Sequence, residues 1–355
     1  MKKIVTFIIS AMLSQYSCSS SSTQDQNTDP DNENPSEPSV WSIPVADVFD
    51  GGPGRDGIPA LENPGFVSVE DEFALLDGDL ILGYKNGDDI RAYQHIVLDW
   101  HEIVNDNVGD VSIAVTYCPL TGTGIGWNRI INGKETTFGV SGLLYNTNLI
   151  PFDRETKSNW AQILNESVNG ELLGEKADLI SLVETDWKTW RTMYPGTKVL
   201  SLNTGFSRTY GVYPYVDYKT NNSFFLFPVP KDNRLPLKER VLAVIDETDA
   251  RAYRFTDLVL ENLVRENFKG KEYLVVGNEN FMMSFELDTN SEGLQFNYAF
   301  NGSEIVLRDN ENNEWNIFGE AVSGPRIGQR LQSSKAFMGY WFSIPAFYTT
   351  EIYNN

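Results

Sequence analysis

The sequence predicts an α+β fold, rich in strand, built as two tandem pseudo-symmetric repeats of a mixed strand/helix unit. Three observations predict it. Short alternating apolar runs are punctuated by Asn-Gly turns, the signature of strands and hairpins. Two stretches carry apolar residues at helical spacing. Landmark residues of the first half also return in the second half about 155–160 positions later, which is internal repetition with only two copies.

The chain starts with Lys2 and Lys3 and an apolar run over residues 4–13, too short to span a bilayer but suited to the core of a signal peptide. Residues 1–17 are expected to be that signal, with Cys18 as the lipidated first residue of the mature protein. Residues 18–40 contain only small, polar, acidic and proline residues after Cys18, apart from Val40, and read as an acidic flexible tether. An acidic stretch in that place resembles the surface-export signals of Bacteroidetes-type lipoproteins. The expected location is therefore a bacterial outer membrane or cell surface, with the membrane as partner through the lipid on Cys18.

The globular part is expected over residues 41–355. Residues 41–200 form the first repeat, 201–240 an aromatic and proline-rich connection, and 241–355 a second, degenerate repeat. Residues 49–61 are rich in Gly and Pro and predict a loop; their spacing lacks the ending of a phosphate-binding loop. Residues 80–84 predict a strand, and Asn86-Gly87 a hairpin turn. Ile96, Val97, Trp100, Ile103 and Val104 form a stripe that predicts a helix. Val111, Ile113, Val115 and Tyr117 alternate and predict a strand ending at Cys118-Pro119. Asn132-Gly133 predicts a second hairpin. Trp187, Trp190 and Tyr194 predict a helix stopped by Pro195-Gly196.

The repeat is read from Arg91-Ala92-Tyr93 against Arg251-Ala252-Tyr253, and Ile103-Val104 against Leu263-Val264. Further on, Trp160 matches Trp315, Gly170 and Gly174 match Gly324 and Gly328, and Trp187 and Tyr194 match Trp341 and Tyr348. At the same offsets His101 faces Glu261, Glu102 faces Asn262 and Cys118 faces Asn278. Packing residues return and reactive ones do not, which points to a single site in the first repeat.

The formal charge of −21 repels phosphate backbones and argues against a nucleic-acid partner. With Cys18 lipidated, Cys118 has no intramolecular partner. His101 beside Cys118 would lower the thiol pKa and create a nucleophile, with Glu102 adjacent and the Thr121 hydroxyl donating to the thiolate. The same Cys118 and His101, helped by a carboxylate, are acceptable ligands for copper or zinc. His95 is six residues before His101 and points to another side of a helix. The competing reading is a buried, inert thiol and a core-edge imidazole. Ser141 sits in Gly139-Val140-Ser141-Gly142, which lacks the final Gly of a nucleophile elbow. Asp153, Arg154 and Glu155 suggest a structural turn with an internal ion pair. A rival function is a glycan- or peptide-binding surface without catalysis, drawing on Tyr210, Tyr213, Tyr215 and Tyr218. A third is a structural envelope protein.

The combination DGGPGRDGIPALENPGF, RAY, WHEIVND, TYCPLTGTG, FGVSGLLYNTNL, DRETKSNWAQ, TKVLS and TGFSRTYGVYPY, in this order, resembles the bacterial “domain of unknown function 3179” family from about residue 49 to the end. That resemblance implies no activity. Its members usually read CPLC where this chain reads Cys118-Pro119-Leu120-Thr121, so a two-cysteine redox or metal role is in doubt here.

Overall fold

In the computed structural model the described residues are 40–354. The signal, Cys18 and nearly all of the tether lie outside them. Strands dominate. They form three five-stranded sheets, three four-stranded sheets and one two-stranded ribbon. Only three α-helices occur among the described residues, α1 (His95–His101), α2 (Trp187–Met193) and α3 (Phe255–Leu260). The expected α+β fold of mixed strand/helix units is therefore corrected to a mostly β molecule. At six or seven residues each, these helices are under two turns and cannot form a layer of their own.

The reason is visible at the predicted helix over residues 96–104. It ends at His101, because Glu102 adopts φ 58° and ψ −32°. Ile103 and Val104 start the strand Ile103–Val108, paired antiparallel with Thr116 and Val115. β-Branched residues pack well on a pleated surface, and the spacing that imitates a helical stripe is a helix followed by a strand.

The hairpin Leu80–Asn86/Asp89–Gln94 lies at the centre of one sheet. Val183–Asp186 pairs antiparallel with its first strand and Lys198–Leu200 parallel with its second. Its two loop residues are Gly87 and Asp88, one position later than expected, with Gly87 at φ 58°. After α1 comes the meander Ile103–Val108, Val111–Cys118 and Thr123–Asn128. The sheet that follows carries Phe138–Tyr145 and Asn148–Asp153. Asn132 and Gly133 both have positive φ, 49° and 77°, between paired Ile131 and Lys134, a type I′ turn.

In the second half, Arg240–Asp246/Asp249–Arg254 is likewise flanked by antiparallel Ala336–Tyr340 and parallel Thr349–Ile352. The short helix α3 and a meander of three strands follow it.

Aromatic residues fill the interior. Trp127, Trp160, Trp187, Trp190, Trp315 and Trp341 are all buried. The largest core cluster draws Cys118, Leu120, Leu149 and Trp160 from the first half together with Val241, Phe337 and Trp341 from the second. Each such side chain contributes about 1.5–3 kcal/mol by leaving water.

The charged turn at Asp153 is structural, but its ion pair is not internal. Arg154 makes two 2.7 Å bonds to the Asp56 carboxylate. Asp153 instead accepts from the Trp160 indole at 3.2 Å, as Asp309 accepts from Trp315 at 2.8 Å. Ser141 lies in a β-bulge between Val140 and Leu143 and donates to the Ile150 carbonyl.

Candidate functional site

The end of α1 positions the site. Where a helix stops, a residue with positive φ commonly turns the chain, and Gly or Asn does so at least cost. Glu102 occupies that position here. Its N–H donates to the Leu98 carbonyl at 2.8 Å and its own carbonyl accepts from Tyr117 N–H at 2.6 Å. Holding a glutamate in that conformation costs on the order of 1–3 kcal/mol, and such strain concentrates at functional positions.

The Glu102 side chain is buried, and burial pushes its carboxyl up to about 8, with the Tyr215 hydroxyl pulling down and Asp99 pushing up. Among the described residues no lysine, arginine or histidine pairs with it. The other acids around it do have partners. Lys219 holds Asp99 at 2.8 Å and Arg240 holds Glu184; on the equivalent helix α3, Arg254 holds Asp257 at 2.5 Å.

Glu102 and Tyr215 are the polar side chains of a cavity of about 400 Å³, whose walls include Ile58, Leu120, Val140, Leu144, Leu149 and Phe227. Gly142 at φ 81° lines it as well, where a Cβ would run into the backbone of Gly54. Leu143 and Leu226 stand at its rim, half-buried and exposed respectively. A second, more open cleft of about 640 Å³ is lined by Asp77, Glu184, Asp186 and Arg240. Among its charges Glu184 pairs with Arg240, Asp77 pairs with the adjoining Arg191, and Asp186 caps α2.

Cys118 ends the strand Val111–Cys118, and the following turn closes with Gly122 N–H on the Cys118 carbonyl. The thiol is buried and donates to the Thr147 carbonyl at 3.7 Å. Burial first, and the Glu102 charge second, raise it to about 11, against the hydrogen bonds of Thr121 and Leu149. It is a neutral thiol at pH 7, not a thiolate. The Thr121 hydroxyl also joins a buried network, 2.9 Å from Thr123 Oγ1 and 3.0 Å from Asn148 Nδ2, which extends to Gln162 and Thr116.

His101 faces other neighbours. Its Nδ1 lies 2.7 Å from the Pro59 carbonyl and its Nε2 2.6 Å from the Tyr210 hydroxyl. A carbonyl only accepts, so Nδ1 carries the proton and Nε2 accepts from Tyr210. Burial chiefly, and Arg208 in addition, lower the imidazole pKa. The ring is neutral and ties the 59 and 204–210 segments together.

The structure thus groups Glu102, Cys118 and Thr121. It gives His101 a separate set of contacts, with no hydrogen bond to Cys118. Among the described residues no group of three or more His, Cys, Asp or Glu side chains is arranged to hold a metal ion. His95, on the other face of α1, packs tilted against Tyr117 with ring centroids 4.4 Å apart and stands 3.6 Å from Glu184.

Sequence reasoning missed Asp99, Lys219, Glu184 and Arg240. Asp99 alone left a signal, three residues before Glu102 at helical spacing. Tyr215 was singled out for stacking on a surface, but it packs against the core and borders the cavity. Tyr218 is buried, and Tyr213 donates to the Pro119 carbonyl at 3.1 Å.

Residues 55–351 match the family model described as protein of unknown function (DUF3179). No curated protein and no solved structure matches the chain.

Proposed function

This chain belongs to the DUF3179 family, and on that premise we propose that it is a binding protein whose ligand is a small, largely apolar molecule seated against Glu102. The observation that carries this reading is the cavity itself: apolar walls converging on one strained, buried carboxyl and one tyrosine hydroxyl. Small-molecule sites are built this way, with a hydrophobic body and a few placed polar groups that fix orientation.

The thiol reading receives less support. A nucleophilic cysteine needs a lowered pKa and access to solvent, whereas Cys118 is buried and raised to about 11. A soft-metal site on Cys118 and His101 is supported no better, because both imidazole nitrogens are already engaged. The tyrosine-rich segment does not favour the glycan- or peptide-binding surface, since Tyr210, Tyr213 and Tyr218 make interior bonds or lie in the core.

We also propose that the protein is carried on a bacterial outer membrane or cell surface by lipid on Cys18. This rests on the basic start, the short apolar run and the acidic stretch after the cysteine. Among the described residues no helix is long and apolar enough to cross a membrane.

The binding reading is tested with N-phenyl-1-naphthylamine, an uncharged probe that fluoresces on entering an apolar site. Saturable fluorescence is expected from the wild type. It should fall at least tenfold in affinity in Leu143→Trp and Leu226→Trp, whose new rings fill the mouth from positions that are not in the core. Probe binding that ignores both substitutions would remove the cavity as the site.

A further inference from the structure

We propose that the ligand bound against Glu102 carries a cationic amino group on an apolar body, an alkylamine or arylalkylamine in chemical class; this rests on the cavity being the ligand site. The argument is one of missing counter-charge. Buried carboxylates are kept with a partner, because an unpaired buried charge is costly. The other buried acids are held within the chain, Asp99 by Lys219, Glu184 by Arg240 and, on α3, Asp257 by Arg254, while Asp106, Asp153 and Asp309 each take two or more neutral donors. Glu102 is not held in this way, although it is as deeply placed as they are.

The groups that face Glu102 reinforce the point. On its own helix stands Asp99, from the adjoining strand Cys118, and from the 210–218 segment Tyr215. None brings positive charge to it, and Lys219, the nearest lysine in that set of contacts, is taken by Asp99. His101 is next in the chain but turned to Pro59 and Tyr210. The cavity thus offers a carboxyl and a hydroxyl at one end and hydrocarbon along the rest. An ammonium group there would donate to the Glu102 carboxylate and the Tyr215 oxygen while its alkyl chain replaces water along Leu120, Leu149 and Phe227. A neutral ligand of the same shape would gain the hydrocarbon contact only. The chain's net charge of −21 adds a field that draws cations towards the surface.

The test compares n-octylamine with n-octanol, equal in length and different in charge, each titrated by calorimetry and by displacement of N-phenyl-1-naphthylamine at pH 7.5. The amine is expected to bind the wild type at least tenfold more tightly than the alcohol. Glu102→Gln should erase that advantage, and its circular dichroism spectrum and cooperative urea unfolding should show that the variant is folded. Equal or tighter binding of the alcohol to the wild type would overturn the cationic class and leave the cavity reading standing. Amine binding undiminished in Glu102→Gln would overturn it as well, by placing the amine on surface acids. If neither compound nor the probe binds, the cavity reading itself falls.

Discussion

At the scale of single residues, the molecule separates two side chains that the sequence treats alike as reactive. Cys118 is buried in a core cluster and its proton is held by burial and by the charge of Glu102. The native protein is expected to resist a disulfide reagent such as dithiobis-nitrobenzoate at pH 7 and to react at once in 8 M urea. Labelling of the folded protein with a midpoint below pH 8 would contradict this. Glu102 shifts in the same direction, as an acid whose proton is retained on folding, but within the range where stability is measured. Its carboxyl rises from the ordinary 4.5 to about 8. Between those values the folded chain binds a proton that the unfolded chain has released. The associated stability is complete below pH 4.5 and is lost as pH climbs through 8. Asp99, raised to about 6, adds the same trend over a narrower window. Glu102→Gln should accordingly gain on the wild type between pH 5 and pH 8.5, by no more than about 5 kcal/mol. Urea unfolding at the two pH values measures it, and an unchanged difference would contradict the raised carboxyl.

At the scale of elements, α1 and the strand Val111–Cys118 hold the site, and the 204–218 segment closes over them. His101 is a fastener in this arrangement. His101→Phe should cost about 1–2 kcal/mol through the lost bonds to Pro59 and Tyr210. It should speed proteolysis within 204–218 without altering Cys118 labelling; faster labelling would restore a functional link between the two. Thr121 has an equally local role. Thr121→Val removes partners of Asn148 and Thr123 in a buried network, and is expected to destabilise by about 1–3 kcal/mol in urea.

Much of this was legible in the sequence. The strand over 111–118, the Asn132-Gly133 turn and the helix from Trp187 to Met193 all appear in the residue pattern. The end of α1 did not, because Ile103 and Val104 fall at helical spacing by coincidence and nothing local announces a glutamate with positive φ. The partners of Asp99 and Glu184 were equally hidden, since Lys219 and Arg240 lie 120 and 56 positions further on. Only the folded chain brings such residues together.

At the scale of the whole molecule, the two halves share hydrogen bonds at equivalent places. The Glu102 carbonyl accepts from Tyr117 as the Asn262 carbonyl accepts from Gly277. At this position the first half carries the Glu102 carboxyl, and the second half carries Asn262, which bonds the Leu258 and Gly277 carbonyls. An amide satisfies itself within the backbone, whereas a carboxyl there stays available to a ligand. For the anchored form, Cys18→Ser should move the protein from the membrane fraction to the soluble fraction of cells, and an unchanged distribution would remove lipidation as the anchor. The account as a whole stands on the state of Glu102. Its most direct test is a carbon-13 titration of the glutamate side-chain carboxyls, with Glu102→Gln assigning the resonance. The account predicts a midpoint near pH 8 that moves when n-octylamine is added. A midpoint in the ordinary carboxylate range, indifferent to the amine, would contradict it.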